Sequence, residues 1–370
     1  MQLKIQRKEL LSALNKVNRA VSSNSPIPIL SGIKFDATKT SLTLTGSDSN
    51  ITIKTIILKQ EDLLEVIETG SVVLSSRLIT EIIRKLESDF VTLEIIDGIL
   101  TKIKGDDSTF NLNGFNAIEY PNIDLKESGE HFKINSIILK NIIAQTSFAS
   151  SKKEIKPIFT GVNFVADEGV LSTTATDSYR LAKKVINLDQ NIRFNITIPA
   201  KSLTEISNIL EKDEDINLYV SDRKILLTSS DVTLQTRLID GNFPDVNRLI
   251  PTTYDYDLKI NSKDLLNAID RASLLATDAN HNVKLTMNQN EIVISSNSQE
   301  IGSVKEKITA AEFIGEPLSI SFSARYVSEA VKSINATLIN IYFNGDMKPF
   351  VIKDKKDESI TQLLLPVKTY

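Results

Sequence analysis

Leu3-Lys4-Ile5 opens the chain, and the phrase returns as Phe132-Lys133-Ile134 and Leu258-Lys259-Ile260, at steps of 129 and 126 residues. In each copy two apolar residues flank a lysine, the alternation of a strand with one buried face. An apolar-periodic run follows each time. Its aligned positions agree in character: Leu10, Leu139 and Leu265, then Leu14, Ile143 and Ile269. Spacing of three to four residues places such side chains on one helical stripe. Self-similarity at domain length predicts one fold used three times.

A second helix signal repeats inside each copy. Ser75-Ser76-Arg77-Leu78-Ile79-Thr80-Glu81 matches Pro199-Ala200-Lys201-Ser202-Leu203-Thr204-Glu205 and Ser323-Ala324-Arg325-Tyr326-Val327-Ser328-Glu329. Arg77, Lys201 and Arg325 stand 124 residues apart, and so do Glu81, Glu205 and Glu329. The chain therefore reads as six modules, each a strand, a helix and about three further strands. Helices are expected near 7–20, 76–87, 135–148, 200–211, 262–276 and 323–335. Tight turns punctuate the strands. Asp97-Gly98, between alternating runs at 90–96 and 99–104, predicts a type I′ hairpin, and Asp167-Glu168-Gly169 and Asn344-Gly345-Asp346 mark others. Tyr120-Pro121-Asn122-Ile123 and Phe243-Pro244-Asp245-Val246 repeat as domain ends. The expected domains are 1–124, 130–248 and 254–370. The fold class is α+β, three repeated domains, each with two helices packed on antiparallel sheets.

At 370 residues the chain has length for two or three ordinary domains. No stretch approaches the 18 apolar residues of a membrane span, and Met1 leads into a strand pattern rather than a signal peptide. No membrane partner is expected. Cysteine is absent, which excludes disulfides and thiolate metal sites and fits a cytoplasmic location. The net charge of −4 argues against a uniformly basic nucleic-acid binder. Charge is unevenly placed, however. The six expected helices carry 13 Lys or Arg against 8 Asp or Glu, so they are basic relative to the acidic remainder. Arg7, Lys8, Lys16 and Arg19 in the first helix and Arg77, Arg84 and Lys85 in the second contribute most. Lys152, Lys153 and Lys156 add a basic loop. Such residues suit phosphate contacts, which position a protein without reading sequence. Lys and Arg also decorate ordinary solvated helix faces, an equally good account of charge alone. No aromatic-rich motif for stacking single strands is present, so duplex backbone is the favoured nucleic-acid partner.

Signatures of catalysis are missing. The two histidines, His131 and His281, stand in strand and polar-loop contexts that suit surface residues better than ligands. No two of the thirteen glycines make G-x-G, so neither a dinucleotide fingerprint nor a P-loop is present. Asp213-Glu214-Asp215 and Asp255-Tyr256-Asp257 read as solvated charge runs. Asp48 and Asp177, 129 apart, read as duplicated turn or capping residues. The expectation is no enzyme, no catalytic residues, no metal and no cofactor.

Three longer phrases stand out: Thr174-Ala175-Thr176-Asp177-Ser178-Tyr179-Arg180-Leu181-Ala182, Leu238-Ile239-Asp240-Gly241-Asn242-Phe243-Pro244-Asp245 and Leu363-Leu364-Leu365-Pro366-Val367-Lys368. They resemble the bacterial sliding clamp family, the β subunit of DNA polymerase III. Pro26-Ile27-Pro28-Ile29-Leu30 and Leu42-Thr43-Leu44-Thr45-Gly46-Ser47-Asp48 match as well, so the resemblance spans the chain. It implies a head-to-tail homodimer, a closed ring whose helices face sequence-nonspecific double-stranded DNA and whose sheets form the outer wall. Such a ring is a processivity factor in DNA replication. It tethers the DNA polymerase III α subunit, and it also receives the clamp loader and other proteins with clamp-binding motifs. DNA-facing candidates are Arg77 and Lys153, with Arg7, Lys16, Arg19, Arg84 and Lys201 on the basic helices. Asn24 stands where relatives can carry Arg, and Pro157 and Ile158 replace aromatic residues, so these three are left out. A partner-peptide pocket is implied at Phe159, Thr176, Ser178, Tyr179, Arg180, Leu181, Pro244, Leu249, Met347, Pro349, Leu365, Pro366, Val367 and Lys368. The dimer seam is implied at Phe110 and Leu112 on one side and Leu274 and Leu275 on the other. The alternative is a protein-interaction scaffold of the same fold that does not encircle DNA.

Overall fold

The computed structural model describes residues 1–22, 25–276, 282–309 and 311–368. Asn24, His281 and Tyr370, which figure in the sequence reading, lie outside the described residues. The six expected helices form as α1 (Arg7–Asn18), α2 (Ser76–Lys85), α3 (Ser136–Thr146), α4 (Ala200–Ile209), α5 (Ser262–Ser273) and α6 (Ala324–Ile334). Each follows one strand and precedes three others, the module read from the sequence. Local chemistry fixes the starts. Asn261 caps α5 by accepting from Lys263 N at 2.9 Å, and Asn135 accepts from Ile137 N at 2.9 Å at the equivalent place before α3. α6 stops at Asn335, whose φ of 54° is left-handed backbone that Asn tolerates.

The chain packs as two compact units. One is Met1–Ile138 with Thr204–Leu238, and the other is Leu139–Leu203 with Ile239–Tyr370. Of the three dividing points, those at 138/139 and 203/204 fall inside α3 and α4 of the middle repeat, and the third follows the strand Val232–Arg237. In the first unit, the strand Gln2–Gln6 lies between Leu64–Glu68 and Phe90–Asp97, and the sheet continues through Leu100–Lys104 to Thr109–Asn113 at its edge. An eight-stranded antiparallel sheet runs Glu130–Asn135, Asp215–Val220, Lys224–Thr228, Val232–Arg237, Ile51–Leu58, Ser41–Ser47, Gly32–Ala37 and Gly70–Ser75. Its middle joint pairs Val232 with Thr55 through Thr236 with Ile51. Helix α1 packs against α2 and against the strand Ile51–Leu58. Leu10, Leu14, Val17, Ile79 and Ile83 are buried there with Ile53 and Leu44.

The second unit repeats the plan. A nine-stranded sheet runs Phe194–Pro199, Gly161–Asp167, Val170–Thr176, Arg180–Asn187, Asp357–Leu364, Phe350–Asp354, Leu338–Phe343, Tyr256–Asn261 and Ala311–Ile314. A four-stranded sheet runs Gly302–Lys307, Ile292–Ser298, Asn282–Met287 and Leu318–Ser323. The core holds Leu265, Ile269 and Ala272 of α5 and Val327, Val331 and Ile334 of α6 against Ile294, Ile341, Phe343 and Phe350. The joint within the nine-stranded sheet pairs Arg180 with Leu364 through Lys184 with Ile360. Ile51 and Arg180 occupy equivalent places in their joints, again 129 residues apart.

Two local expectations change. Asp97 remains in the ladder, paired with Leu100, so the hairpin loop is Gly98-Ile99 and only Gly98 has positive φ, at 53°. That is the type II′ pattern; a bulge between Ile95 and Asp97 shifts the register by one. The type I′ geometry occurs instead at Glu168-Gly169, with φ of 48° and 76° between the paired Asp167 and Val170. The strands Leu64–Glu68 and Ala311–Ile314 are additions to the six-module scheme.

Candidate functional site

The joint at Arg180–Lys184 brings most of the expected pocket residues into one place. The strand Val170–Thr176 turns into Arg180–Asn187 through a loop in which Ser178 has φ of 78°. Asp177 builds the turn: its Oδ1 accepts from Tyr179 N at 3.0 Å and Arg180 N at 3.1 Å. Thr176 Oγ1 donates to the Arg180 carbonyl at 2.6 Å and accepts from Ser178 N at 3.1 Å. Asp48 makes the same turn in the other unit, accepting from Asn50 N and Ile51 N, both at 2.9 Å. The duplicated acids thus serve as the turn residues their spacing suggested.

Arg180 is buried, with its side chain only 5% exposed. Its Nε donates to Asp177 Oδ2 at 3.0 Å, one terminal nitrogen to Glu329 of α6, and the other to the Phe148 carbonyl at 2.6 Å. The guanidinium carbon lies 4.4 Å from the Tyr326 ring centre and 5.2 Å from that of Phe148. Each of the three guanidinium nitrogens makes a hydrogen bond and two aromatic rings lie against the group, which compensates the burial of the charge.

Apolar surface adjoins this polar knot. Leu181, Val246, Val351 and Leu363 form a buried cluster against which Phe243, Ile250 and Tyr254 pack. Phe159 meets Phe243 edge to face at 5.9 Å. Tyr179 stands 62% exposed at the rim, and Leu365 donates its backbone N–H to the Tyr179 carbonyl at 3.0 Å. Val367 N donates to the Ser321 carbonyl at 2.7 Å, which ties down the tail beyond the joint, where Pro366 is half-buried and Lys368 exposed. Pro244, Leu249 and Met347 are exposed and Pro349 half-buried on neighbouring loops. At the margin Lys183 Nζ donates to Asn247 Oδ1 at 2.6 Å. Burial lowers its pKa, and the nearby Asp245 opposes that shift. The arrangement offers apolar wall, one exposed aromatic ring and backbone held in fixed directions, the requirements for seating a short extended peptide.

Sequence reasoning missed Asp177, Glu329, Phe148 and Tyr326 as the shell of Arg180, and Phe243 and Val246 as the floor. In the sequence Phe243 stands out within a domain end and a family-like phrase, Val246 within the domain end alone, and Glu329 as a marker of the repeat, none of them as part of a pocket.

The expected DNA-facing cations divide by their partners. Arg77, Lys153 and Lys201 are exposed, with no ion-pair partner among the described residues. Arg7 Nε donates to the Ser88 carbonyl at 3.1 Å. Arg19 pairs with Glu205 at 3.1 Å, and Arg84 pairs with Glu81. Lys16 is bound to Asp231 at 2.9 Å and lies 3.5 Å from Glu211. Of the seam candidates, Phe110 and Leu112 lie on the edge strand Thr109–Asn113, Phe110 being exposed and Leu112 half-buried. Leu274 is 76% exposed just past α5 and Leu275 half-buried. No helix among the described residues is long and apolar enough to cross a membrane, and no group of three His, Cys, Asp or Glu residues among them is placed to hold a metal ion.

Comparison with known proteins gives one consistent result. Family models for the N-terminal, central and C-terminal domains of the DNA polymerase III beta subunit match residues 1–124, 133–245 and 247–368. The chain is 42% identical to the beta sliding clamp of Bacillus subtilis and 41% identical to that of Staphylococcus epidermidis, with all of each chain covered. The crystal structure of the Bacillus subtilis DNA polymerase sliding clamp superposes with a TM-score of 0.95 over the whole of both chains.

Proposed function

Because the chain belongs to the DNA polymerase III beta subunit family, we infer that it is a DNA sliding clamp of replication, a ring that tethers a polymerase to its template. The ring is a head-to-tail homodimer of three-domain chains, with domains at 1–124, 130–248 and 254–370. The single observation that supports closure is a pair of unused strand edges. Two joints within the chain pair the last strand of an odd module with the last strand of an even one: Ile51–Leu58 with Val232–Arg237, and Arg180–Asn187 with Asp357–Leu364. The remaining two members of this set, Gly302–Lys307 and Thr109–Asn113, end their sheets unpaired among the described residues. Each presents outward the backbone groups of alternate residues. Gly105 N donates to the Ser108 carbonyl and Gly114 N to the Ile99 carbonyl, so Phe110 and Leu112 bond inward while Thr109, Asn111 and Asn113 face out. Ile308 N donates to the Ile292 carbonyl, which leaves Ser303, Lys305 and Lys307 facing out. Each edge satisfies the other's requirement, and a heterologous contact of this kind makes a ring when its rotation closes. Phe110 and Leu112, with Leu274 and Leu275, supply apolar area at that seam.

The function is tethering rather than catalysis. Holding a polymerase beside its template raises its effective concentration there. Arg77, Lys153 and Lys201 are the candidates best free to meet duplex phosphates. The surface at Tyr179, Arg180, Leu181 and Leu365 receives the clamp-binding motifs of the DNA polymerase III α subunit, the clamp loader and other partners, in the cytoplasm.

Two measurements test this. After loading by a clamp loader, the protein stays on nicked circular DNA and runs off when the circle is cut. Equal loss from both forms would reject encirclement. Deleting residues 365–370 abolishes capture of a motif peptide while the solution mass remains that of a dimer. Unchanged peptide affinity would reject the pocket.

A further inference from the structure

Glu81, Glu205 and Glu329 fill one position of the threefold repeat, yet each has a different partner. Glu81 pairs with Arg84 on its own helix, and Glu205 with Arg19. Glu329 instead reaches from α6 to Arg180, at the centre of the candidate peptide site. We propose that Glu329 is a positioning residue for peptide capture, acting through Arg180 and without touching the peptide. This rests on the peptide-site reading above.

Glu329 lines a cleft of about 530 Å³ with Asn141, Gln145, Phe148 and Lys332, and none of the expected peptide contacts lines that cleft. Its carboxylate supplies one of the two negative partners, among the described residues, of a guanidinium that is almost wholly out of water. The other is Asp177, and the two carboxylate oxygens of Asp177 do different work: Oδ2 holds Arg180, while Oδ1 holds the N–H groups of Tyr179 and Arg180. Without Glu329 the buried cation keeps a single carboxylate, so it turns toward water through the cleft and pulls on Asp177. The turn that presents Tyr179 and the Tyr179 carbonyl then loses its fixed direction. A peptide must re-order that turn on binding, and affinity falls accordingly.

Affinity is read with a fluorescein-labelled clamp-binding-motif peptide from a DNA polymerase III α subunit, alongside hydrogen exchange by mass spectrometry, on the full-length protein. Glu329→Ala should weaken the peptide about tenfold, the scale of one charge-assisted hydrogen bond. It should also speed exchange in residues 174–184 while exchange elsewhere is unchanged. Glu329→Gln keeps an acceptor oxygen and should recover most of the affinity and the slow exchange. Wild-type affinity and exchange in Glu329→Ala would overturn the proposal. So would equal losses in the Ala and Gln variants with faster exchange throughout the unit, the pattern of a purely structural role. If the wild-type protein fails to bind the peptide, the pocket reading fails, and the exchange data still report whether Glu329 holds Arg180.

Discussion

Lys16 stands among the basic residues of α1, but its neighbourhood gives it a different task from Arg77. Its side chain is 11% exposed and its ammonium lies 2.9 Å from Asp231 and 3.5 Å from Glu211. Burial disfavours its charged form, but the hydrogen bonds and charges of Asp231 and Glu211 outweigh that, and its pKa rises. For Asp231, burial acts to raise the pKa, while Lys16, Lys212 and Ser230 lower it further than burial lifts it. A carboxylate with a depressed folded-state pKa stabilises the fold above its unfolded value, near 3.9, and that contribution is lost as pH falls through the folded value. The raised lysine contributes below about pH 10.4 and loses its contribution as pH climbs through its folded value. Asp231→Asn should therefore cost about 1 kcal/mol near neutrality, the figure for a partly exposed pair, and flatten the fall in melting temperature below about pH 4. A melting-temperature series from pH 3 to 8 checks this, and parallel acid limbs for the two proteins would exclude the pair as a stabilising contact. Lys16→Ala should lower the melting temperature and leave DNA retention unchanged, because its charge is already spent within the fold.

At the scale of the strand, Thr109–Asn113 turns a chemical asymmetry into a testable contact. Phe110 and Leu112 bond back into their own sheet, and Asn111 presents its N–H to the outer edge. Proline at 111 removes an outward donor and leaves the inner ladder whole, the one setting in which an edge strand accepts proline. Asn111→Pro should therefore give a folded single chain by solution mass, with its melting temperature close to that of wild-type monomer. A dimer of unchanged affinity would show that this edge is not the seam. Much at this scale was readable beforehand. Helical periodicity and the repeat spacing placed all six helices with ends within about three residues, because a stripe of Leu, Ile and Val at 3.6-residue intervals has few other uses. The hairpin loop lies one residue beyond the Asp97-Gly98 position that turn chemistry predicts, since the bulge at Ile95 depends on which strand lies opposite. The strand Leu64–Glu68 carries no clear sequence signal, because a run with two glutamates lacks strand character until Leu3 and Ile5 lie beside it. The apolar rim of the candidate site carried local phrases that could be matched. The hold on Arg180 did not, because its partners Phe148 and Glu329 lie 32 and 149 residues away in sequence.

For the whole molecule, the net charge of −4 and the few candidate DNA-facing cations whose side chains are unengaged among the described residues set a limit on how DNA can be retained. Arg77, Lys153 and Lys201 are the candidate contacts whose side chains have neither an ion pair nor a hydrogen bond among the described residues, so the proposed dimer offers about six phosphate contacts. Affinity that rests on neutralising phosphates falls steeply with salt, because each contact releases a condensed counterion. With about six contacts the loss is roughly a thousandfold between 50 and 200 mM. A scaffold gripping the duplex from one side must show that loss. A closed ring need not, since leaving a circle requires opening the seam and not breaking phosphate contacts. Once loaded on nicked circular DNA, the protein should keep the same half-life across that salt range. Cutting the circle should release it at both salt concentrations. The combined variant Arg77→Ala, Lys153→Ala and Lys201→Ala should load more slowly, because electrostatic steering is weakened, yet persist on the circle as long as wild type. A half-life that collapses with salt, or with those three side chains, would mean that contact and not closure holds the DNA. That result would favour the one-sided scaffold, even with every strand and helix in its place.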